Sequence, residues 1–207
     1  PGSASSRPRP QHHMLGLLLS CTALQLPSSK QAPSTRRAVL GSGAAVAAAL
    51  ALPGTASAGL KPCKAGSQNC FSTAGPTGKN ELTKWSWPSG MSRADAAKSL
   101  KSVLDAYPQS GQDGVDGGGW TLVEDQLASA GYARYEFKSA GTGNLAKFFN
   151  GGKPFTDDLE VSIEDDFVCA RSSSRVGDSD FGVNPKRINY IAKGLREKGW
   201  AAEGVKP

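Results

Sequence analysis

Histidine is missing from nearly the whole chain, because its two histidines stand side by side as His12 and His13. Without imidazole, the remaining residues have no Ser-His or Cys-His nucleophile pair and no histidine ligand for zinc or non-haem iron. Catalysis there would need carboxylates, lysine, tyrosine or a thiol. The absence favours a binding or structural role over an enzymatic one.

Acidic residues are missing from the first 80 positions. The first is Glu81, and all 18 lie between it and the end of the sequence. Five of the 24 basic residues lie before Ala58, which leaves 19 bases against 18 acids in the rest. A nearly neutral body has little long-range attraction for phosphate polymers, so we expect no nucleic-acid partner. The uneven distribution itself indicates a targeting segment.

A membrane-spanning hydrophobic run is also missing. The apolar stretch at 39–52 has 14 residues, whereas crossing a bilayer takes about 20. Arg36 and Arg37 precede this stretch, and the small residues Ala56 and Ala58 follow it. The pattern predicts a removable twin-arginine export signal, with an uncleaved membrane helix as the alternative.

A second apolar run at 15–26 is joined to the first by an acid-free spacer. Two signals in series resemble the leaders of thylakoid-lumen proteins in algae whose plastids lie inside extra membranes. A bacterial periplasmic protein, the alternative, needs one signal. We therefore predict a removed leader over 1–58 and a single luminal domain over 59–207.

Two helices are predicted in this domain. Ser92 and Asp95 resemble a capping box, and the apolar residues that follow lie on one stripe through residue 107. A second helix is expected to begin with Asn184 as N-cap and Pro185 at its first position, and to end near residue 199.

Period-two alternation predicts strands at 120–124 and 133–139, and a hairpin whose acidic turn is 164–166. The fold class expected is α+β: a small antiparallel sheet with two main helices packed on one face, after a loop-rich N-terminal part. The glycine-rich residues 110–119 are predicted to form a hinge or tether, and residues 200–207 a loosely held tail.

Cys63 and Cys70 are candidates for a disulfide, with two free thiols as the alternative, since their spacing suits neither zinc nor a thioredoxin motif. Cys169, inside a strand, is expected to behave as a small buried apolar group. The acidic turn lacks the spacing of a calcium loop. We expect no metal and no cofactor.

The connection between the last strand and the last helix, residues 171–187, reads RSSSRVGDSDFGVNPKR. Together with the Pro-Cys and Asn-Cys elements ending at Cys63 and Cys70, and the FTDD element at 155–158, this run resembles the domain-of-unknown-function family numbered 1499, found in bacteria and plastids. The resemblance covers nearly all of 59–207. Because that family has no established activity, it implies a fold more than a function.

This run also supplies the candidate binding residues. The pattern places two of them on one strand face, two on a tight loop and two at the start of the helix: Arg171, Ser173, Arg175, Asp180, Asn184 and Arg187. In a structural interpretation, the arginines pair with Asp157, Asp158 or Asp180. In a functional one, an unpaired arginine and the amides of the helix N-terminus bind an anion.

These features predict a non-catalytic luminal accessory protein, peripheral to the membrane at most, that docks on or helps assemble a photosystem or another thylakoid complex. Trp85 and Trp87 are candidate partner anchors, or else core residues. The alternatives are an anion or small-molecule binding module built on the arginines and, last, an enzyme. Asp157 and Asp158 are adjacent on a strand and therefore point to opposite faces, away from a shared substrate.

Overall fold

The computed structural model describes residues 59–74, 80–141 and 148–205, so the predicted leader lies outside the described residues. Five strands form one antiparallel sheet in the order β1-β5-β4-β3-β2. The elements in chain order are β1 Cys70–Ser72, α1 Arg93–Asp105, β2 Trp120–Gln126, β3 Tyr132–Lys138, β4 Thr156–Ile163, β5 Val168–Ser174 and α2 Val183–Glu197. The predicted α+β class is confirmed.

The alternation of side chains along the strands gives the sheet an inner and an outer face. On β3, Ala133, Tyr135 and Phe137 are buried, and the register sets Tyr135 opposite Leu159 and Ala133 opposite Val161 of β4. Buried residues of α1 and α2 join these side chains in one core. The intervening strand residues, many of them charged, lie on the outer face.

Helix α1 begins as the sequence predicts. Ser92 is its N-cap: its Oγ accepts a hydrogen bond from the backbone N of Asp95 (3.1 Å) and donates to the carboxylate of the same residue (2.7 Å). Leu100 and Leu104 lie on its buried stripe. The cap and the stripe together fix the helix against the inner face.

The glycine-rich residues 110–119 form an ordered turn segment that carries a core residue, so predicting a hinge or tether here was wrong. Asp116 is only 3% exposed, and its carboxylate accepts a hydrogen bond from Tyr107 (2.6 Å). A Cβ at Gly118 would lie 2.3 Å from the carbonyl oxygen of Ser139. Glycine is therefore required where this segment approaches the end of β3.

The segment after α2 is packed, so the loosely held tail is wrong for residues 200–205. Trp200 is 3% exposed, and the backbones of Ser86 and Ala201 are hydrogen-bonded in both directions. Asn189 of α2 accepts a hydrogen bond from the backbone N of Val205 (2.7 Å).

Of the two tryptophan candidates for a partner anchor, Trp85 is a core residue. It has no exposed surface, and its indole N–H donates to the carbonyl oxygen of Glu203 (3.0 Å). Trp87 is partly buried and packs edge-on against Trp200, with 5.9 Å between the ring centres. The anchor interpretation of Trp85 is therefore corrected.

A disulfide and an edge strand hold the N-terminal part of the described chain against the sheet. Cys63 and Cys70 form a disulfide with 5.7 Å between their Cα atoms, and Cys70 begins β1, a strand that the sequence did not predict. Cys169 is buried, as predicted, in a small cluster with Leu60 and Ala74, but it is disulfide-bonded and therefore not a free thiol. Neither helix in the described ranges has the length and apolarity needed to cross a bilayer.

Candidate functional site

Arg187 lies on the inner face of the sheet, fully buried and fully engaged. Its guanidinium donates to both carboxylate oxygens of Asp116, with 2.9 Å from Nε to Oδ2, and to Asp157 Oδ2 at 2.8 Å. Nη1 donates to Ser172 Oγ (3.1 Å) and Asn184 Oδ1 (2.6 Å). We call Arg187, Asp116 and Asp157 the buried triad.

Arg187 keeps its charge despite its burial. Burial alone would lower the pKa of Arg187, but hydrogen bonds to Asp116 and the charges of both carboxylates outweigh it and raise that pKa. The guanidinium also lies over the ring of Phe137, at 4.5 Å from its centre. Arg187 is therefore held as a cation whose donors are directed into the protein.

The start of α2 is also closed to external ligands. The sequence predicted Asn184 as the N-cap of α2, and this prediction is wrong. The N-cap is Gly182, which has a φ of 81°. The carboxylate of Asp180 accepts from the backbone N of Gly182 (3.0 Å) and of Asn184 (2.9 Å). Pro185 lacks an N–H, so Asp180 takes up the donors that would hold an anion at this helix end.

Asn184 is instead a buried connector. Its side-chain amide donates to Asn69 O (3.2 Å) and Ser174 Oγ (3.1 Å), and its Oδ1 accepts from Ser172 Oγ (2.6 Å). It joins β1, β5 and α2 in one network. A cap at this position would have turned the side chain back along its own helix, and these tertiary bonds prevent that.

Arg175 lies on the outer face, on the other side of the sheet from Arg187. It donates to both oxygens of Asp158, at 2.8 and 2.7 Å, and to Glu136. Hydrogen bonding to Asp158, and then to Glu136, raises the pKa of Arg175. Burial would raise the pKa of Asp158, but Arg175 and Arg134 together lower it.

Arg171 and Ser173 occupy the same outer face on β5. Arg171 donates to Glu160 at 2.6 Å, and its Nε is buried without a hydrogen-bond partner. Ser173 is buried between β1 and β4, opposite Cys70 and Asp158. The sheet thus separates Arg171 and Arg175 from Arg187, so the arginines of the predicted binding module do not share one site.

A cavity of about 640 Å³ opens at the end of the sheet where β4 begins and β5 ends. Its floor is formed by Asp116 and Asp157 of the buried triad, and the loop before α2 forms one wall. Apolar side chains supply most of the remaining lining: Val115, Ala140, Phe149, Phe155, Val176, Phe181 and Val183.

Large aromatic side chains stand exposed at the mouth of this cavity. Of the lining residues, Phe149 is 70% exposed and Phe181 80%; we call these two residues the phenylalanine rim. Phe148, the chain neighbour of Phe149, is 84% exposed. Phe181 also has a φ of 51° and Asp116 one of 59°, in the left-handed region that residues with a side chain seldom adopt. Backbone strain of this kind concentrates at functional sites.

Sequence reasoning missed the cavity because its parts come from five separated segments. Asp116 lies in the glycine-rich segment, which was predicted to be a hinge or tether. Phe149 lies outside every helix and strand that the sequence predicted. The sequence carried one signal for this site. Two adjacent phenylalanines, Phe148 and Phe149, precede a polar, glycine-containing stretch and lie outside any predicted helix or strand. Within the described residues, no group of three or more His, Cys, Asp or Glu is arranged to hold a metal ion.

The fold and the site define a small α+β domain with a paired arginine network and an aromatic-rimmed cavity. Residues 59–195 match the family described as protein of unknown function (DUF1499). The chain belongs to that family. No curated protein matches the chain, and no solved structure does.

Proposed function

We propose that this protein is a non-catalytic accessory protein of the thylakoid lumen that docks on a photosystem or another thylakoid complex through the phenylalanine rim. The exposure of Phe149 and Phe181, which both line one cavity, carries this proposal. Contiguous exposed apolar surface marks interaction sites, whereas isolated exposed apolar residues are ordinary.

The contrast with other surface residues supports this choice. Apart from Phe148, the other large exposed hydrophobics of the described residues, Val123, Val176 and Tyr190, are only 37–43% exposed. Burying one phenylalanine side chain stabilises a complex by about 1.5–3 kcal/mol before the costs of association. The two phenylalanines of the rim provide the aromatic anchor that interfaces favour.

The destination in the lumen rests on the predicted leader, which lies outside the described residues. Arg36 and Arg37, the short apolar stretch after them and the small residues ending at Ala58 support export. The second apolar run supports a plastid over a bacterial periplasm.

Small-molecule binding is the second candidate, because a cavity of about 640 Å³ is in the usual range for ligand sites, about 300–1,000 Å³. Its anion-binding form has less support, because Arg171, Arg175 and Arg187 each engage a carboxylate. A ligand here would meet apolar side chains and aspartates.

Docking is tested by extracting thylakoids of the native cell in mild detergent and following the full-length gene product on native gels. We expect co-migration with a photosystem. The variant Phe149→Ser with Phe181→Ser should shift most of the protein to the free fraction, and the matched control Val123→Ser should not. Wild-type protein recovered only in the free luminal fraction, or outside the thylakoid, would contradict the proposal.

A further inference from the structure

The charges around the cavity are of one sign. Lys, Arg and His are absent from its described lining, whereas four aspartates are present: Asp116, Asp157, Asp178 and Asp180. An otherwise apolar cavity with only acidic ionisable groups distinguishes between occupants by their charge.

Neighbouring groups offset part of this negative charge. Arg187 lies beneath the floor and offsets one of the two charges of Asp116 and Asp157. Asp180 is bonded to backbone amides of α2, whose helix end contributes about half a positive charge. Asp178 is exposed at the wall and makes no ion pair in the part of the chain described.

Lys186, an exposed cation at the start of α2, does not reverse this balance. It forms an ion pair with Asp113 at 3.3 Å and donates to its carbonyl oxygen at 3.0 Å, so that pair is neutral. Within the described lining, Asp178 is the exposed carboxylate without an ion pair.

We propose that the cavity receives a large apolar side chain of the partner protein that has a lysine or arginine next to it, with the cation placed beside Asp178. This proposal rests on the docking function and states the chemistry of the docked segment. The apolar walls accept the side chain, Phe149 and Phe181 enclose it, and the aspartates select the adjacent cation.

The same charges disfavour the other occupants. An acidic segment would meet the four aspartates of the lining, and a membrane with anionic headgroups would be repelled by Asp178 next to the rim. A neutral apolar segment would fit the walls and gain nothing from the aspartates.

A pair of probes with the same ring and opposite charge tests this inference directly. We would titrate the full-length chain with 4-phenylbutylamine and, separately, 4-phenylbutyrate, and follow backbone amide resonances of Val115, Asp157 and Phe181. The amine should move these resonances with an affinity about two- to fivefold higher than that of the carboxylate. Equal affinity, preference for the carboxylate, or no movement with either probe would overturn the proposal.

Reversing the charge of Asp178 tests whether this residue causes the preference for the amine. Asp178→Lys, and more mildly Asp178→Asn, should remove the preference for the amine. Asp166→Lys makes the same change at the exposed turn between β4 and β5, at the opposite end of the sheet, and should leave the preference intact. Loss of preference in both lysine variants would show a bulk charge effect, which contradicts a role for Asp178.

The docking assay separates this inference from the proposed function. If the wild type co-migrates with the complex and Asp178→Lys reduces co-migration as the phenylalanine variants do, both stand. If Asp178→Lys co-migrates normally, docking stands and the cationic segment is refuted. If binding follows anionic lipid vesicles instead of the complex, the cationic segment is refuted and the membrane is the occupant.

Discussion

Replacing Arg187 with methionine should be among the most damaging single changes in this protein. The side chain has no exposed surface, and methionine fills much of its volume without a charge. Asp116, at 3% exposed, and Asp157, at 6%, would then face each other without a cation. Two buried carboxylates in that position repel each other and lack the solvation that water would provide.

Breaking a buried ion pair by removing one partner costs about 3–5 kcal/mol. Domains of this kind unfold with about 5–15 kcal/mol in total, so Arg187→Met should remove between about a fifth and all of the stability. Arg175→Met is the matched control, because its ion pairs lie on the outer face with the side chain 40% exposed. That variant should cost about 1 kcal/mol or less.

Urea unfolding followed by tryptophan fluorescence at neutral pH measures both variants. Adding Asp116→Asn and Asp157→Asn to Arg187→Met should recover part of the loss, because amides replace the buried carboxylates. A cost below about 1 kcal/mol for Arg187→Met, with no recovery in the asparagine variants, would refute the assignment of the buried triad.

Two further predictions concern the sheet. Cys63→Ser should lower the free energy of unfolding by about 2 kcal/mol, because the disulfide with Cys70 closes a short loop. An unchanged stability in this variant would contradict the bond. The pKa of Asp158 lies below its ordinary value, so this group adds stability above that ordinary pKa and loses it as the pH falls through the folded-state pKa. Carboxyl NMR titration should show the pKa of Asp158 rising in Arg175→Gln, and an unshifted pKa in that variant would count against the Arg175 pairing.

Local sequence patterns were sufficient to predict most of the helices and strands. The alternation at Ala133, Tyr135 and Phe137 identified a strand with one buried face, and Ser92 with Asp95 identified the start of α1. Such signals depend on neighbours within a few residues, so no knowledge of the fold is needed. β1 escaped prediction because three residues carry no period, and it pairs with β5 about a hundred positions away.

Only the tertiary structure decided the role of each polar residue. The sequence showed arginines interleaved with aspartates between Arg171 and Arg187. Arg175 follows β5 to the outer face, whereas the packing of helix α2 places Arg187 on the inner face. The partner Asp116 comes from a turn 71 residues away.

The sequence by itself determined the acid-free first 80 residues, the lack of histidine beyond His13 and, through its local patterns, the α+β class. The cavity was decided in three dimensions, where the ends of β4 and β5 meet the loop before α2 and Phe149. The physical reason is that hydrophobic periodicity is a local property of the chain, whereas a cavity and an ion pair exist only between segments that folding brings together.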